Sequence, residues 1–420
     1  MPLPHKAYPL WLPTKQKGER RLPTVLPQNL RPHLRPPTGP LGRFLSHFPR
    51  SCQLGQEIRR DVLGPCLNPL GAFHGLGGVY FRYLDLALLP QLRAAGYSIH
   101  YVGTADGIER SLVEGETDVC YHAISAGKLR RYFSLKNFAD PFRVLKGVFQ
   151  SRRIIRDVKP DVVFSKGGFV SVPVVIAARG KAPVITHESD YTPGLANRIA
   201  ARFADTVCVT FEDTLAKVGP KGVFTGTPIR PALFQGEAEK GLAFTGFDGA
   251  RPILLVMGGS QGAQAINQVL RQALPQLTRQ FDIIHLCGKG KVDPGVESPA
   301  YRQYEYIGPE LPHLFACTDI VLSRAGANAV FEFLALAKPA LLVPLPLSAS
   351  RGDQILNAGY FVRKGYAMSM EQEQLTPAAL TDALSTLYEN RLRFISTMRS
   401  DARADGTDAV LQVIRNALGE

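Results

Sequence analysis

The sequence predicts an α/β protein built as two parallel-sheet lobes with a cleft between them. Three observations lead there: short unbroken runs rich in Val and Ile, helical patterns between successive runs, and glycine clusters where runs end. Strands covered on both faces need no polar alternation, and parallel neighbours need a crossover, which the intervening helices supply.

Taken in chain order, residues 1–83 stand apart. Residues 1–75 hold 13 of the 32 prolines and 11 Lys and Arg against 3 Asp and Glu. Such sequence sustains neither a helix nor a paired strand, so 1–83 is expected to be disordered or translated out of frame, with order beginning near Leu84. Most of the net charge of +13 therefore sits outside the patterned body, which carries only +5 after residue 75. Nucleic acid is not an expected partner.

The first lobe is expected over 84–236. A helix at 84–95 leads into strand-like runs at 98–103, 119–124, 161–165, 182–187, 206–211 and 222–226. A linker at 237–249 precedes the second lobe, 250–399, with runs at 253–257, 282–287, 304–307, 320–322 and 340–343. The segment 400–420 carries a helix near 404–417 whose packing partner the sequence does not reveal.

The six cysteines lie far apart and none forms a C-x-x-C pair, which fits reduced and mostly buried thiols. No apolar run approaches the roughly 20 residues that span a bilayer, and the N-terminus lacks the apolar core of a signal peptide. The expected location is cytoplasmic, with any membrane contact made from the surface. There is no Asp-x-Asp at a strand end and no His/Asp cluster at ligand spacing, so neither metal nor cofactor is expected. Leaving-group charge would be met by helix dipoles and backbone amides.

Ligands of open parallel sheets bind where strands end and helices begin. Four such junctions carry candidate chemistry. In LLVMGGSQGA (254–263), glycines let the backbone approach a ligand and the following helix offers unpaired N–H groups, which suits a diphosphate near Gly259, Ser260 and Gln261. A tight turn without a ligand is the plain alternative. In VLSRAGANA, a helix opened by Ala327 and Asn328 places Glu332 where a carboxylate can accept bonds from ribose hydroxyls. A first-turn surface Glu is the alternative. In PLPLSASRGDQ, Asp353 and Gln354 open a helix and suit sugar hydroxyls, although Asp at such a position is also an ordinary cap. In the first lobe, FSKGGFVS and THESD both follow buried runs and bring Lys166, Gly167, Gly168, His187, Glu188 and Asp190 to the cleft. His187 beside Glu188 suits acid–base chemistry, and a structural histidine fits the sequence equally well.

Residues 127–156 hold nine Lys and Arg against one Asp, interleaved with aromatic residues. A basic amphipathic segment of this kind, with Lys128, Arg130, Arg131, Tyr132 and Phe133 at its start, fits an anionic membrane surface. An ordinary packed helix with a solvated basic face is the other reading.

Together these loops resemble the MurG-type glycosyltransferases. The matching stretches are SKGGFVSVP (165–173), HESD…GLANRIA (187–200), GTPIR (226–230), GGSQGA (258–263), SRAGAN..FE (323–332) and SRGDQ..NA (350–358), in the family's order over roughly four-fifths of the chain. The resemblance implies the two-Rossmann GT-B arrangement, with a nucleotide sugar, UDP-GlcNAc, on the second lobe. It places Ser260 at the diphosphate, the Ile307 backbone at uracil, Glu332 at ribose, Gln354 at the sugar and Arg230 near the phosphates. It gives the first lobe an undecaprenyl-diphosphate-linked MurNAc-pentapeptide acceptor and contact with the anionic inner membrane surface. The implied reaction is inverting, at the cytoplasmic face of the membrane. Asp190 stands where other members carry Asn. The family's opening loop, Thr-Gly-Gly-Gly-Thr-x-Gly-His, is replaced by HGLGGVYF, with Phe81 at the histidine position. A UDP-sugar-binding protein with impaired catalysis and a transferase to another lipid, such as diacylglycerol, are the alternative functions.

Overall fold

Two sheets organise the molecule, and every strand pairing within them is parallel. The computed structural model describes residues 70–74, 82–106, 110, 113, 119–127, 140–258, 263–401 and 403–420. The first sheet contains β1 (Leu70–His74), β2 (Ser98–Gly103), β3 (Val119–Ala123), β4 (Val162–Ser165), β5 (Val184–Glu188), β6 (Thr206–Val209) and β7 (Gly222–Phe224), in the order β3-β2-β1-β4-β5-β6-β7. The second contains β8 (Ile253–Met257), β9 (Asp282–Leu286), β10 (Tyr301–Tyr304), β11 (Ile320–Ser323), β12 (Ala340–Leu342) and β13 (Ala367–Ser369), in the order β10-β9-β8-β11-β12-β13.

Both orders share one logic. The chain winds from a central strand to one edge, returns beside its start, and winds to the other edge. The reversal falls between β1 and β4 in the first lobe and between β8 and β11 in the second. Crossover loops leave in opposite directions there, opening the crevice that ligands of such sheets occupy. Both faces of the central strands are covered: Val162 and Phe164 pack on one side of the first sheet, Val163 on the other.

The structure corrects three expectations. Order does not begin near Leu84, because residues 70–74 form β1 at the centre of the first sheet, paired with β2 and β4. Five residues show too little periodicity to be recognised alone, yet the slot between two strands needs only their backbone groups. The run expected at 304–307 pairs as Tyr301–Tyr304, its register set by Ile283–Leu286 of β9. Finally β13, only Ala-Met-Ser, is recruited by pairing with β12 and has no signature of its own.

The helix Thr407–Leu418 also finds its partner. It returns to the first lobe, where Val410, Leu411 and Ile414 pack with Leu88, Leu92, Ile99, Phe164 and Ile185. The chain thus passes between lobes twice, and the two passages lie side by side. Gly406 N–H donates to Thr227 O at 2.9 Å and Ile229 N–H to Asp405 Oδ1 at 3.2 Å. A Cβ on Gly406 would collide with the Thr225–Gly226 backbone, so this contact requires glycine. Nearby, Tyr191 and Phe211 of the first lobe stack edge-on, and Phe211 meets Phe331 and Tyr360 of the second at 5.1 Å.

Candidate active site

On the second lobe, β8 ends at Met257 and the helix Gln264–Leu277 begins seven residues later. Gly259, Ser260 and Gln261 lie outside the described residues. The residues that flank them come close together, since a Cβ on Gly258 would collide with the Ala263 backbone. Across the strand reversal, Ser323 Oγ donates to Met257 O at 2.8 Å and ties the two strand ends together.

Ala327 opens the helix Ala327–Ala335, with Asn328 in its first turn and Glu332 one turn deeper. Arg230 Nη2 donates to Glu332 Oε1 at 3.0 Å, with the two side chains only 21% and 15% exposed. Burial raises the Glu332 carboxyl from its usual range, and Arg230 pulls it back. Two residues expected at a nucleotide thus hold each other, one from the passage between lobes and one from the second sheet's crossover.

Gln354 is the second residue of the helix Asp353–Arg363, preceded by Gly352 at φ +85°, a conformation open to glycine. Its Oε1 accepts from Leu345 N–H at 3.1 Å, which fixes the side chain against the proline-rich loop. Ile307 is buried just beyond β10. Arg324, which the sequence did not single out, donates from Nη1 to Val343 O and Pro344 O and from Nη2 to Gln372 Oε1. It straps the end of β12 to the loop that starts at β11.

On the first lobe, Gly167 and Gly168 both have positive φ, at +92° and +88°. A Cβ on Gly167 would push the Asn197 amide aside, and the positive φ there favours glycine whatever the space. Gly168 N–H donates to Asn197 Oδ1 at 3.3 Å, and Asn197 Nδ2 donates to Glu188 Oε2 at 2.8 Å. Glu188 also accepts from Asp190 N–H at 2.9 Å and Gly194 N–H at 3.2 Å. Burial, with Asp190 nearby, pushes its pKa up to about 7. Asp190 is pushed up to about 6 by burial and by Asp353 across the cleft, while Arg351 and Lys166 act against that. Lys166 itself is completely buried.

His187 departs from the catalytic expectation. It lies on the opposite side of β5 from Glu188 and has no exposed surface. Its Nε2 bonds the Gly226 carbonyl at 3.0 Å, so the ring donates there and holds the passage between lobes. Burial first, and Lys166 second, push its pKa down to about 3. A ring so enclosed holds the passage between the lobes through the Gly226 carbonyl.

Two asparagines that the site expectations left out join these parts. Asn197 links the SKGG and HESD loops within the first lobe. Asn357, fully buried, accepts from Tyr191 N–H at 3.4 Å and donates to Ala325 O at 3.0 Å, and so bridges the lobes. The motifs GLAN and NA contained both, but only the folded chain shows what they join. Lys128, Arg130, Arg131, Tyr132 and Phe133 lie outside the described residues.

Comparison with known proteins resolves the family. The model of the glycosyltransferase family 28 N-terminal domain matches residues 83–209, and that of its C-terminal domain matches 253–413. The chain belongs to glycosyltransferase family 28. Within the family, relatives from Clostridium tetani and Clostridium novyi are each 51% identical, over 79% of this chain and 93% of theirs. Both are named UDP-N-acetylglucosamine–N-acetylmuramyl-(pentapeptide) pyrophosphoryl-undecaprenol N-acetylglucosamine transferase. The crystal structure of Acinetobacter baumannii MurG is 26% identical and superposes with a TM-score of 0.65, covering 83% of this chain and all of that one. As a MurG-type member of family 28, the chain is a glycosyltransferase with the GT-B fold.

Proposed function

We propose that this chain transfers GlcNAc from UDP-GlcNAc to the 4-hydroxyl of an undecaprenyl-diphosphate-linked MurNAc-pentapeptide, turning lipid I into lipid II during peptidoglycan synthesis. The observation that carries this reading is the 51% identity, over almost the whole length of the relatives, to proteins named for that transfer. The geometry agrees. The helices Gln264–Leu277, Ala327–Ala335 and Asp353–Arg363 begin where β8, β11 and β12 deliver the chain, so their N-termini favour a nucleotide diphosphate. In this reading 250–399 is the donor lobe. Ser260, with Gly259 and Gln261, meets the diphosphate, the Ile307 backbone uracil, Glu332 ribose, Gln354 the sugar and Arg230 the phosphates, with Ala327 and Asn328 at the helix start between them. The lobe 84–236 takes the acceptor beside Lys166, Gly167, Gly168 and Asp190. The hydroxyl attacks the anomeric carbon from the face opposite UDP, which inverts it, and fixed N–H dipoles meet the charge that develops on the leaving group.

The acceptor's lipid tail calls for a peripheral membrane contact at the cytoplasmic face. The helix Asp140–Val158 supports it: Phe142, Leu145 and Phe149 are 75%, 53% and 59% exposed on one face, among Arg143, Lys146, Arg152 and Arg153. Among the described residues no helix is long and apolar enough to cross a membrane. Changing all three apolar residues to Ser should weaken binding to anionic vesicles about tenfold or more, read by co-sedimentation. Unchanged binding would move the contact elsewhere.

The reaction is tested with the purified full chain, labelled UDP-GlcNAc and lipid-linked muramyl-pentapeptide. Label in the lipid product is expected. Donor binding without transfer would leave a UDP-sugar-binding protein, and turnover with diacylglycerol alone another lipid transferase.

A further inference from the structure

Inside the second lobe, away from the cleft, lies a chain of buried polar groups whose protons are all fixed. It starts at the Cys287 carbonyl, which can only accept. Asn267 Nδ2 donates to it at 2.9 Å, so the amide's orientation is set and Oδ1 faces His285. His285 Nε2 lies 3.0 Å from that oxygen and must therefore carry the ring proton. In a neutral ring Nδ1 then accepts, and Tyr301 OH donates to it at 2.7 Å. Arg271 stands next to the Tyr301 hydroxyl and donates from Nη2 to Gln303 Oε1 at 2.8 Å and to Lys291 O at 2.6 Å. His285 is completely buried, with Asn267 and Tyr301 nearly so. Burial, helped by Arg271, pushes the histidine's pKa down to about 3, so the ring stays neutral.

The placement of these residues gives the chain a purpose. Asn267 is in the first turn of the helix Gln264–Leu277, directly after the glycine loop. His285 is on β9, and Tyr301 opens β10, whose end at Tyr304 lies three residues before Ile307. Cys287 closes the set, its N–H donating to Tyr304 O at 2.9 Å. A purely apolar contact would let the helix slide, whereas a directional chain holds one register.

We propose that Tyr301, His285 and Arg271 are positioning residues, which fix the helix that receives the donor's diphosphate relative to the strand end that receives its base. The proposal rests on the reading of this lobe as the UDP-sugar site. None of the three touches the donor. They act through Asn267 and the backbone at Cys287 and Tyr304.

Tyr301→Phe keeps the ring and removes only the donated proton, and Arg271→Lys tests the far end of the chain. The measurements are affinity for UDP and for uridine by calorimetry, KM and kcat for UDP-GlcNAc, and the melting temperature. The expected result for Tyr301→Phe is UDP binding weakened about tenfold and uridine binding changed less than about twofold, because one buried hydrogen bond is lost between two otherwise intact subsites. KM should rise in step with kcat nearly unchanged, and Arg271→Lys should follow in the same direction. Equal weakening of UDP and uridine, or no change in a variant that melts normally, would overturn the proposal. A wild-type chain that binds neither ligand would overturn the donor-site reading itself, and this proposal with it.

Discussion

The two lobes share a winding order but treat their buried polar groups in opposite ways. The first lobe gathers ionisable groups where β4 and β5 end: Lys166, His187, Glu188 and Asp190, with Glu188 and Asp190 pushed up to about 7 and 6 and His187 pushed down to about 3. The second lobe places its buried ring, His285, in a neutral relay and keeps its loops in shape with fixed donors such as Arg324, Asn267 and Asn357. The difference teaches that equal topology does not mean equal electrostatics. The side assigned to the acceptor holds charge under tension, and the side assigned to the nucleotide holds geometry.

The sharpest way to break that contrast is to remove its centre in the first lobe. Glu188→Ala would leave three donors, from Asp190, Gly194 and Asn197, without their acceptor. The variant should lose about 3–5 kcal/mol of stability in urea unfolding, since each orphaned buried group costs about 1–3 kcal/mol. A loss near zero would show that water replaces the carboxylate.

A smaller effect distinguishes the lobes by pH. A buried histidine with a folded pKa near 3 and an unfolded pKa near 6.5 contributes fully above pH 6.5, and that contribution is lost as pH falls toward 3. Glu188 and Asp190 run the other way: raised above 4.5 and 3.8, they favour the fold at low pH and lose that effect as pH rises through about 7 and 6. In the first lobe the two trends offset each other, and in the second the His285 trend is opposed by the carboxyls of Glu332 and Asp282, which burial raises. His285→Gln should therefore reduce the stability lost between pH 6.5 and 5.0 by about 2 kcal/mol, measured against wild type at both pH values. Equal losses would mean that the ring is already free to protonate.

The smallest expected effect sharpens the donor assignment. Ser260→Ala or Gln354→Ala should each weaken UDP-GlcNAc binding about 3- to 30-fold with little change in melting temperature, since each removes one polar contact. Unchanged affinity in both would contradict the second lobe's role.

Much of this was legible in the sequence because buried parallel strands and glycine junctions leave local marks. The runs at 253–257 and 320–322, the opening of a helix at Ala327, and the glycines at 167 and 168 all stand where local pattern puts them. What stayed hidden is set by distant parts of the chain. β1 and β13 exist because neighbouring strands accept them. His187 looked reactive beside Glu188, but alternation along β5 sends the two to opposite faces. Asn197, Asn357 and Arg324 matter through partners 9 to 48 residues away in sequence or on the other lobe, and no local pattern announces that.

The helix Thr407–Leu418 has a consequence for how the protein is made. Leu88, Ile99, Phe164 and Ile185 are synthesised early, yet the surface that covers them follows the whole second lobe in the chain. The first lobe must therefore wait, partly uncovered, through the synthesis of the whole second lobe. A stop codon near Ser400 would spare every strand of both sheets and still leave that early-made apolar surface facing water.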